Sequence, residues 1–422
     1  MIRRFAKFLV SMTIALCVAA TVSAQDVVEL SFAWTEDGVD SAVMRDLLDR
    51  FEAENPDIRV RLSLQAESAI REGVESGSGP DLARLSDVAA FRGAYLDLRA
   101  LLENPAVLEG NFHPAILDAL REGPDDDGLY GFADQISLTA PYINISAFEE
   151  AGVELPSAVM EAPSLDDWLA ALEDAAEAVG IPYLLSVDNR DHRLVGPAMR
   201  MGAVFLDAEG NLSLPDDGGL RSFLGLLKGL MDDGKAPEDV LLGTGRSEGY
   251  FVRGETLMYI CASGKVASVA QQIGAGFEWV IAPNPQGAAG NTGFASLSAV
   301  VAFAGSEHPQ AAARVIEYLL QPAVYAEYSA RTLTIPAHLG VIEAGVAYDT
   351  DDEAINDALK AFARGVPDLQ DQAILFDAHP LASAYYEASN ASLQPYFAGE
   401  LTLDEALAAL HARLDEAAVM SG

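Results

Sequence analysis

The feature that most constrains the fold is an alternation near the start of the chain. Val28, Leu30, Phe32 and Trp34 recur at every second position, the period of a strand with one buried face. Met44, Leu47, Leu48 and Phe51 follow at helical spacing, and Asn55-Pro56 stops that helix. Ile58, Val60, Leu62 and Leu64 then alternate again. Strand, helix and strand form a βαβ unit, whose crossover predicts a parallel sheet. Gly-Ser-Gly-Pro at 77–80 turns into Asp81 to Leu85 as a third strand, and an amphipathic stretch from Val88 to Leu102 follows.

The alternation continues through the middle. Leu165 to Val179 reads as a helix capped by Ser164. Ile181 to Val187 reads as a strand, Leu220 to Met231 as a helix, and Thr256 to Cys261 as a short apolar strand. Phe277 to Ile281 is a strand broken by Pro283-Asn284-Pro285, and Leu297 to Phe303 is another after a Gly/Ala-rich loop. Helices then dominate: Pro309 to Leu320, Pro322 to Ala330, Glu353 to Arg364, Pro380 to Leu393 and Leu403 to Ala417. No fixed-period repeat and no low-complexity linker interrupts the 422 residues. Two domains' worth of α/β sequence without a linker points to lobes joined by several short strands, with a ligand cleft where loops leave the carboxyl ends of the strands.

Arg3, Arg4 and Lys7 precede an apolar run from Phe8 to Ala20, and Val22-Ser23-Ala24 offers small residues for cleavage. Residues 1–24 therefore read as a signal peptide, too short in its apolar part for a comfortable membrane span. Leu16 before Cys17 argues against a lipid-modified cysteine. Cleavage leaves only Cys261, so no intrachain disulfide is expected. The formal charge is −38. Such a surface repels phosphate backbones and anionic headgroups, which disfavours nucleic acid and membrane surfaces as partners. It serves solubility, and a negative field favours neutral or cationic cargo over anionic cargo.

Four stretches carry a resemblance. They are Phe51-Glu52-Ala53-Glu54-Asn55-Pro56 before an alternating strand, Gly79-Pro80-Asp81-Leu82 followed by Asp87, Leu129-Tyr130-Gly131-Phe132 leading to Tyr142-Ile143-Asn144, and Phe251-Val252-Arg253-Gly254-Glu255-Thr256-Leu257-Met258. In this order, after a signal peptide, the chain resembles family 1 extracellular solute-binding proteins of ABC importers, nearest the maltose and glycerol-3-phosphate binders. The resemblance implies an α/β periplasmic-binding-protein type II fold: two α/β lobes that close about a hinge over a ligand cleft. It implies lobes of 26–132 plus 287–330 and of 133–286 plus 331–422, a periplasmic monomer, a carbohydrate-like cargo, permease subunits as partners and no cofactor.

Candidate ligand-binding residues follow. Trp34 ends the first strand and reads either as a core aromatic or as a stacking face for a sugar ring. Asp87 follows the third strand, as a helix cap or as an acceptor for two sugar hydroxyls. Gln65 ends the second strand on the same geometry. Gln135 and Ser137 fall at the implied crossing between lobes, where an amide suits a polyol. Ser263-Gly264 follows a strand, either as an ordinary turn or as a close backbone approach to cargo. Gly293-Phe294 resembles a small-residue turn of the family, with a phenyl ring in place of a small side chain. Asp188, Asp191 and Arg193 lie in a loop where the glycerol-3-phosphate binders carry tryptophans; the charges either bind cargo or pair among themselves. Arg331 and Thr334 lie in the stretch similar to the family's second crossing, where Leu333 replaces a glycine and Thr334 an aromatic. These departures argue against a phosphodiester cargo.

Other functions leave weaker marks. No G-x-S-x-G, H-E-x-x-H or P-loop pattern appears, and the six histidines are not clustered at metal-ligand spacing, which disfavours an enzyme. Tyr385-Tyr386 is similar to the tyrosine pair of ferric-ion binders, although adjacent helical positions diverge by about 100°. Asp188 and Asp191 would also suit a cation such as a polyamine.

Overall fold

The computed structural model describes residues 27–35, 38–123, 125–188 and 191–421. The expected signal peptide, 1–24, lies outside the described residues. The described residues form ten strands: β1 Val28–Trp34, β2 Ile58–Leu64, β3 Leu82–Leu85, β4 Gly131–Asn144, β5 Tyr183–Ser186, β6 Val204–Leu206, β7 Leu212–Asp216, β8 Thr256–Ala262, β9 Trp279–Ile281 and β10 Ala295–Ala302. Eight of them share one sheet, ordered β2-β1-β3-β10-β4-β8-β5 with β9 also on β4, and β6 and β7 form a small hairpin. No described helix is long and apolar enough to cross a membrane.

The opening βαβ unit forms as its periodicity predicts. β1 pairs in parallel with β2 and β3, and the helix Val39–Glu54 buries Val43, Met44, Leu47, Leu48 and Phe51 against them. The sheet as a whole is mixed, because β10 runs antiparallel to both β3 and β4, and β4 antiparallel to β8. The amphipathic stretch after Val88 is not a helix. Only Val88–Phe91 coils, as one 3-10 turn. Gly93 (φ +82°) turns the chain away, and Leu96 and Leu98 donate their backbone N–H to Ala302 and Leu129.

β4 joins the two halves of the molecule. Ala133 to Leu138 pair with β10, while Thr139 to Ile143 pair with β8 on the opposite edge. β9 takes up β10's edge only from Tyr142 onward. In the gap between them the strand is completed by loop groups: Thr139 N–H donates to the Phe294 carbonyl (3.0 Å), Asn284 Nδ2 donates to the Thr139 carbonyl (3.0 Å), and Ala282 N–H donates to the Pro141 carbonyl (2.9 Å). Pro141 is tolerated because its missing donor falls on this interrupted edge. An isolated bridge lies alongside, where Ile136 N–H donates to the Ile335 carbonyl at 3.0 Å. Leu333, just before it, holds φ +54°. A left-handed backbone that glycine adopts freely is thus held by a leucine, at a cost of about 1–2 kcal/mol.

Beneath β1, β3 and β4 lies a buried ion pair. Arg84 has no exposed surface; its Nε donates to Asp134 Oδ2 at 2.7 Å and its Nη2 to Ser298 Oγ at 2.8 Å. Tyr328 also donates to Asp134 Oδ2, at 3.2 Å. The guanidinium lies 5.1 Å from the Trp34 ring centroid. Removing one partner of such a pair strands a charge, whereas removing both does not. Arg84→Met should therefore cost roughly 3–5 kcal/mol in chemical denaturation, and Arg84→Met with Asp134→Leu should recover most of that loss. A loss in the double variant equal to the sum of the losses in Arg84→Met and Asp134→Leu would show that the pair is not coupled.

Candidate ligand cleft

The carboxyl ends of β1, β2 and β3 form one rim. Glu67 fixes the turn after β3: its Oε1 accepts from Ser86 N–H at 2.5 Å and its Oε2 from Asp87 N–H at 3.3 Å. Asp87 then caps the 3-10 turn by accepting from Ala90 N–H at 3.2 Å, and it meets Arg71 at 3.4 Å. About half of its side-chain surface stays exposed, 52%. It is a cap and still offers carboxylate surface. Gln65, half-buried, donates its N–H to the Trp34 carbonyl and its Nε2 to Ser63 Oγ at 2.9 Å.

The facing rim comes from the end of β8, the 191–194 turn and the turn at 376–378. Ser263 Oγ lies 3.4 Å from Ser137 Oγ and accepts from Leu138 N–H at 3.3 Å, so the two serines meet across the β4–β8 junction. Gln135, half-buried, sits opposite Ser298 on β10. Gly264 is exposed with open space about its Cα. His192 stacks on Phe294 with ring centroids 4.6 Å apart at 13° and stands edge-on to Tyr386 at 6.2 Å. Tyr386 donates to Asp377 Oδ1 at 2.8 Å. Arg92 joins the rims: its Nη2 donates to the Ala119 carbonyl (2.7 Å) and to the Ala378 carbonyl (3.0 Å).

Burial sets the protonation states here. It pushes Asp377 up to about 6; the Tyr386 hydrogen bond opposes that, and the like charge of Asp87 adds to it. Burial, then the neighbouring Arg193 charge, pulls His192 down to about 3. Burial and Arg92 pull His379 down to about 4, against Asp207. Both rings are neutral near pH 7. Arg193 Nη1 lies 2.7 Å from His192 Nε2, so that nitrogen accepts and the ring proton sits on Nδ1.

Several expected contacts lie elsewhere. Trp34 is fully buried, edge-on to Phe32 and Tyr328 with Arg84 over its ring, and offers no stacking face. Asp188 is 8% exposed and accepts from Ser247 N–H at 2.9 Å, holding a helix start. Gly293 is needed for packing, since a Cβ there would lie 2.6 Å from the Thr139 carbonyl. Phe294 is 1% exposed and reaches the cleft through His192 stacked on it, with Phe376 edge-on beside it. Arg331 pairs with Asp46 (2.6 Å) and Glu327 (3.0 Å). Thr334 Oγ1 meets Thr332 Oγ1 at 2.8 Å. For Asp191 only the backbone, within the 191–194 turn, is described. Asp377, Arg92 and Glu67 had no sequence signal, whereas Tyr386 stood out only as half of a tyrosine pair. The buried Tyr385 phenol is pushed well up by burial, away from the phenolate that ferric ion needs. Among the described residues no three His, Cys, Asp or Glu side chains could hold a metal.

The family model for bacterial extracellular solute-binding proteins matches residues 46–363. The chain belongs to that family. No curated protein matches in sequence. Among solved structures, the sugar-binding protein MalE of Xanthomonas citri is 20% identical with a TM-score of 0.75, over 92% of this chain and 96% of that one. The cyclic alpha-maltosyl-1,6-maltose binding protein of Arthrobacter globiformis is 19% identical with a TM-score of 0.73, over 92% and 98%. The GacH receptor of Streptomyces glaucescens, solved free and with acarbose, is 19% identical with a TM-score of 0.68, over 92% and 97%. These solute-binding proteins share the type II fold, two α/β lobes about a cleft.

Asp377 binds its proton more tightly in the folded chain, near 6 against 3.8. Its contribution therefore turns unfavourable as pH rises through this interval. Asp377→Asn should raise Tm by a few degrees, roughly, at pH 7.5 and leave it unchanged near pH 4. Differential scanning fluorimetry across pH checks this, and a gain independent of pH would refute the raised carboxyl.

Proposed function

We propose that this chain captures a carbohydrate-like solute, a sugar, oligosaccharide or polyol, between its lobes in the periplasm and delivers it to the membrane subunits of an ABC importer. The observation that carries this reading is the convergence of hydrogen-bonding groups from both rims. Asp87 stands on one side, Asp377 and Tyr386 on the other, Ser137 and Ser263 at the junction, and a neutral His192 stacked on Phe294 beside them. Carboxylates accept from neighbouring hydroxyls, serine and phenol groups both donate and accept, and a flat neutral ring faces the apolar side of a sugar. Neighbours named for maltose-type sugars support the same class.

In this reading residues 1–24 are a cleaved leader, and the protein works as a monomer without cofactor or catalysis. The lobes are 26–132 plus 287–330 and 133–286 plus 331–422. The change of strand partner at Leu138–Thr139 supports a crossing within β4, a few residues past that first limit. Closure gains from cargo only what the cargo prefers in the closed state.

A cationic solute such as a polyamine is the second reading, favoured by the like charge of Asp87 acting on the enclosed Asp377 carboxyl. A thermal-shift screen of the mature chain against sugars, polyols and polyamines separates the two. Saturating cargo at about 100-fold its Kd adds about 2.7 kcal/mol. A sugar hit should weaken at least tenfold by calorimetry in Asp87→Asn and in Tyr386→Phe. A polyamine hit with silence across sugars would overturn the carbohydrate assignment and keep the fold.

A further inference from the structure

A cavity of about 190 Å³ lies at the C-terminal end of the helix Glu353–Ala363. Ile342, from the helix Leu339–Ala344, gives it an apolar wall together with Val346 and Ala363. Tyr348, Lys360 and Arg364 supply its polar groups, and no acidic residue lines it. None of the cleft residues described above contributes to it. One water needs roughly 10–15 Å³ of such space, so the cavity admits a polyatomic ligand.

The charges here depart from the rest of the chain. With 64 acidic residues against 26 basic ones, most lysines and arginines among the described residues sit in an ion pair. Lys360, half-buried, and Arg364, exposed, pair with no carboxylate among the described residues. They stand four positions apart at the end of one helix, the spacing at which like charges face and repel each other. A helix dipole favours a cation in its last turn. That accounts neither for their shared cavity nor for the phenol in its wall. Tyr348 is 7% exposed, and its hydroxyl is buried with no partner among the described residues. Burial holds that hydroxyl protonated, well above the ordinary phenol range, so it is a donor. A buried donor without an acceptor is costly, and an acceptor inside the cavity removes the cost.

We propose that this cavity is an anion site, with a small oxyanion of the phosphate or sulfate class as its ligand. Lys360 brings a point charge, Arg364 a planar fork of N–H donors, and Tyr348 a neutral donor from the buried side. The apolar wall lowers the local dielectric and strengthens each contact. The bound anion ties the end of Glu353–Ala363 to the segment after Leu339–Ala344, so it stabilises the fold whatever occupies the cleft. The acidic surface around it opposes entry, and binding depends on these three groups.

Calorimetric titration of the mature full-length chain with sodium phosphate and with sodium sulfate, at fixed chloride, tests this. Phosphate, sulfate or both should bind at one site with a Kd of about a millimolar or tighter. Lys360→Gln and Arg364→Gln should each weaken that binding about tenfold. Arg413→Gln, which removes one exposed charge from the helix Leu403–Ser421, should leave it unchanged. Tyr348→Phe should weaken binding severalfold without lowering the Tm of the unliganded chain, because the hydroxyl it removes has no partner there. If Tyr348→Phe fails to fold, the two charge variants decide the matter. No heat from either anion would overturn the proposal, as would an affinity that Lys360→Gln and Arg364→Gln leave unchanged or that Arg413→Gln weakens equally.

Discussion

One strand must satisfy its backbone on two edges while changing partners along its length, and the architecture follows from how β4 does so. It gives up β10 after Leu138 and gains β8 from Thr139. Between β10 and β9 its amides and carbonyls would be orphaned, and a buried unpaired peptide group is expensive. The β9–β10 loop closes that gap with Phe294, Asn284 and Ala282. This pins the loop, which in turn holds Gly293 against Thr139 and Phe294 under His192. The edge of β4 and the loop that carries Gly293 and Phe294 thus share one set of backbone bonds.

The buried charges divide by how they are satisfied. Arg84 and Asp134 pair with each other and stabilise the first half beneath the cleft. Asp377 is enclosed beside Tyr386 and feels the like charge of Asp87, and Arg200 is enclosed with carbonyl oxygens as its acceptors. A chain of net charge −38 could readily place a carboxylate near any buried cation. That none stands at Arg200 among the described residues marks the position as chemically distinct from the Arg84 pair.

Much of the fold was legible because its elements obey simple periods. The helix Leu165–Val179 has the expected limits, and Ser164 caps it through Asp167 N–H at 3.2 Å. The strands β1, β2 and β8 follow their alternation or apolar runs closely. The small hairpin of β6 and β7 was not legible, since three- and five-residue strands carry too little pattern. The 88–102 stretch has apolar spacing, yet Gly93 and the demand of Leu96 and Leu98 for strand partners override it. The site was harder to read. Asp87 and Ser263 were expected just past strand ends and Ser137 at the implied crossing between lobes; Trp34 faces inward because β1 is covered on both faces. Asp377 and Arg92 owe their position to a turn some 285 residues away in sequence, 286 between the Arg92 and Ala378 partners, and local pattern holds no record of such a meeting.

β8 holds one more consequence. Cys261 has no exposed surface, receives the Tyr259 hydroxyl at 2.8 Å, and has its thiol pushed up by burial. Thiolate is the reactive form, so this residue is silent toward maleimides and iodoacetamides while the fold persists. In a chain without residues 1–24, which carry the other cysteine, Cys17, a cysteine introduced on the outer surface of each lobe would then carry a dye without background labelling. The distance between two such fluorophores would report opening and closing directly, in the otherwise unaltered molecule.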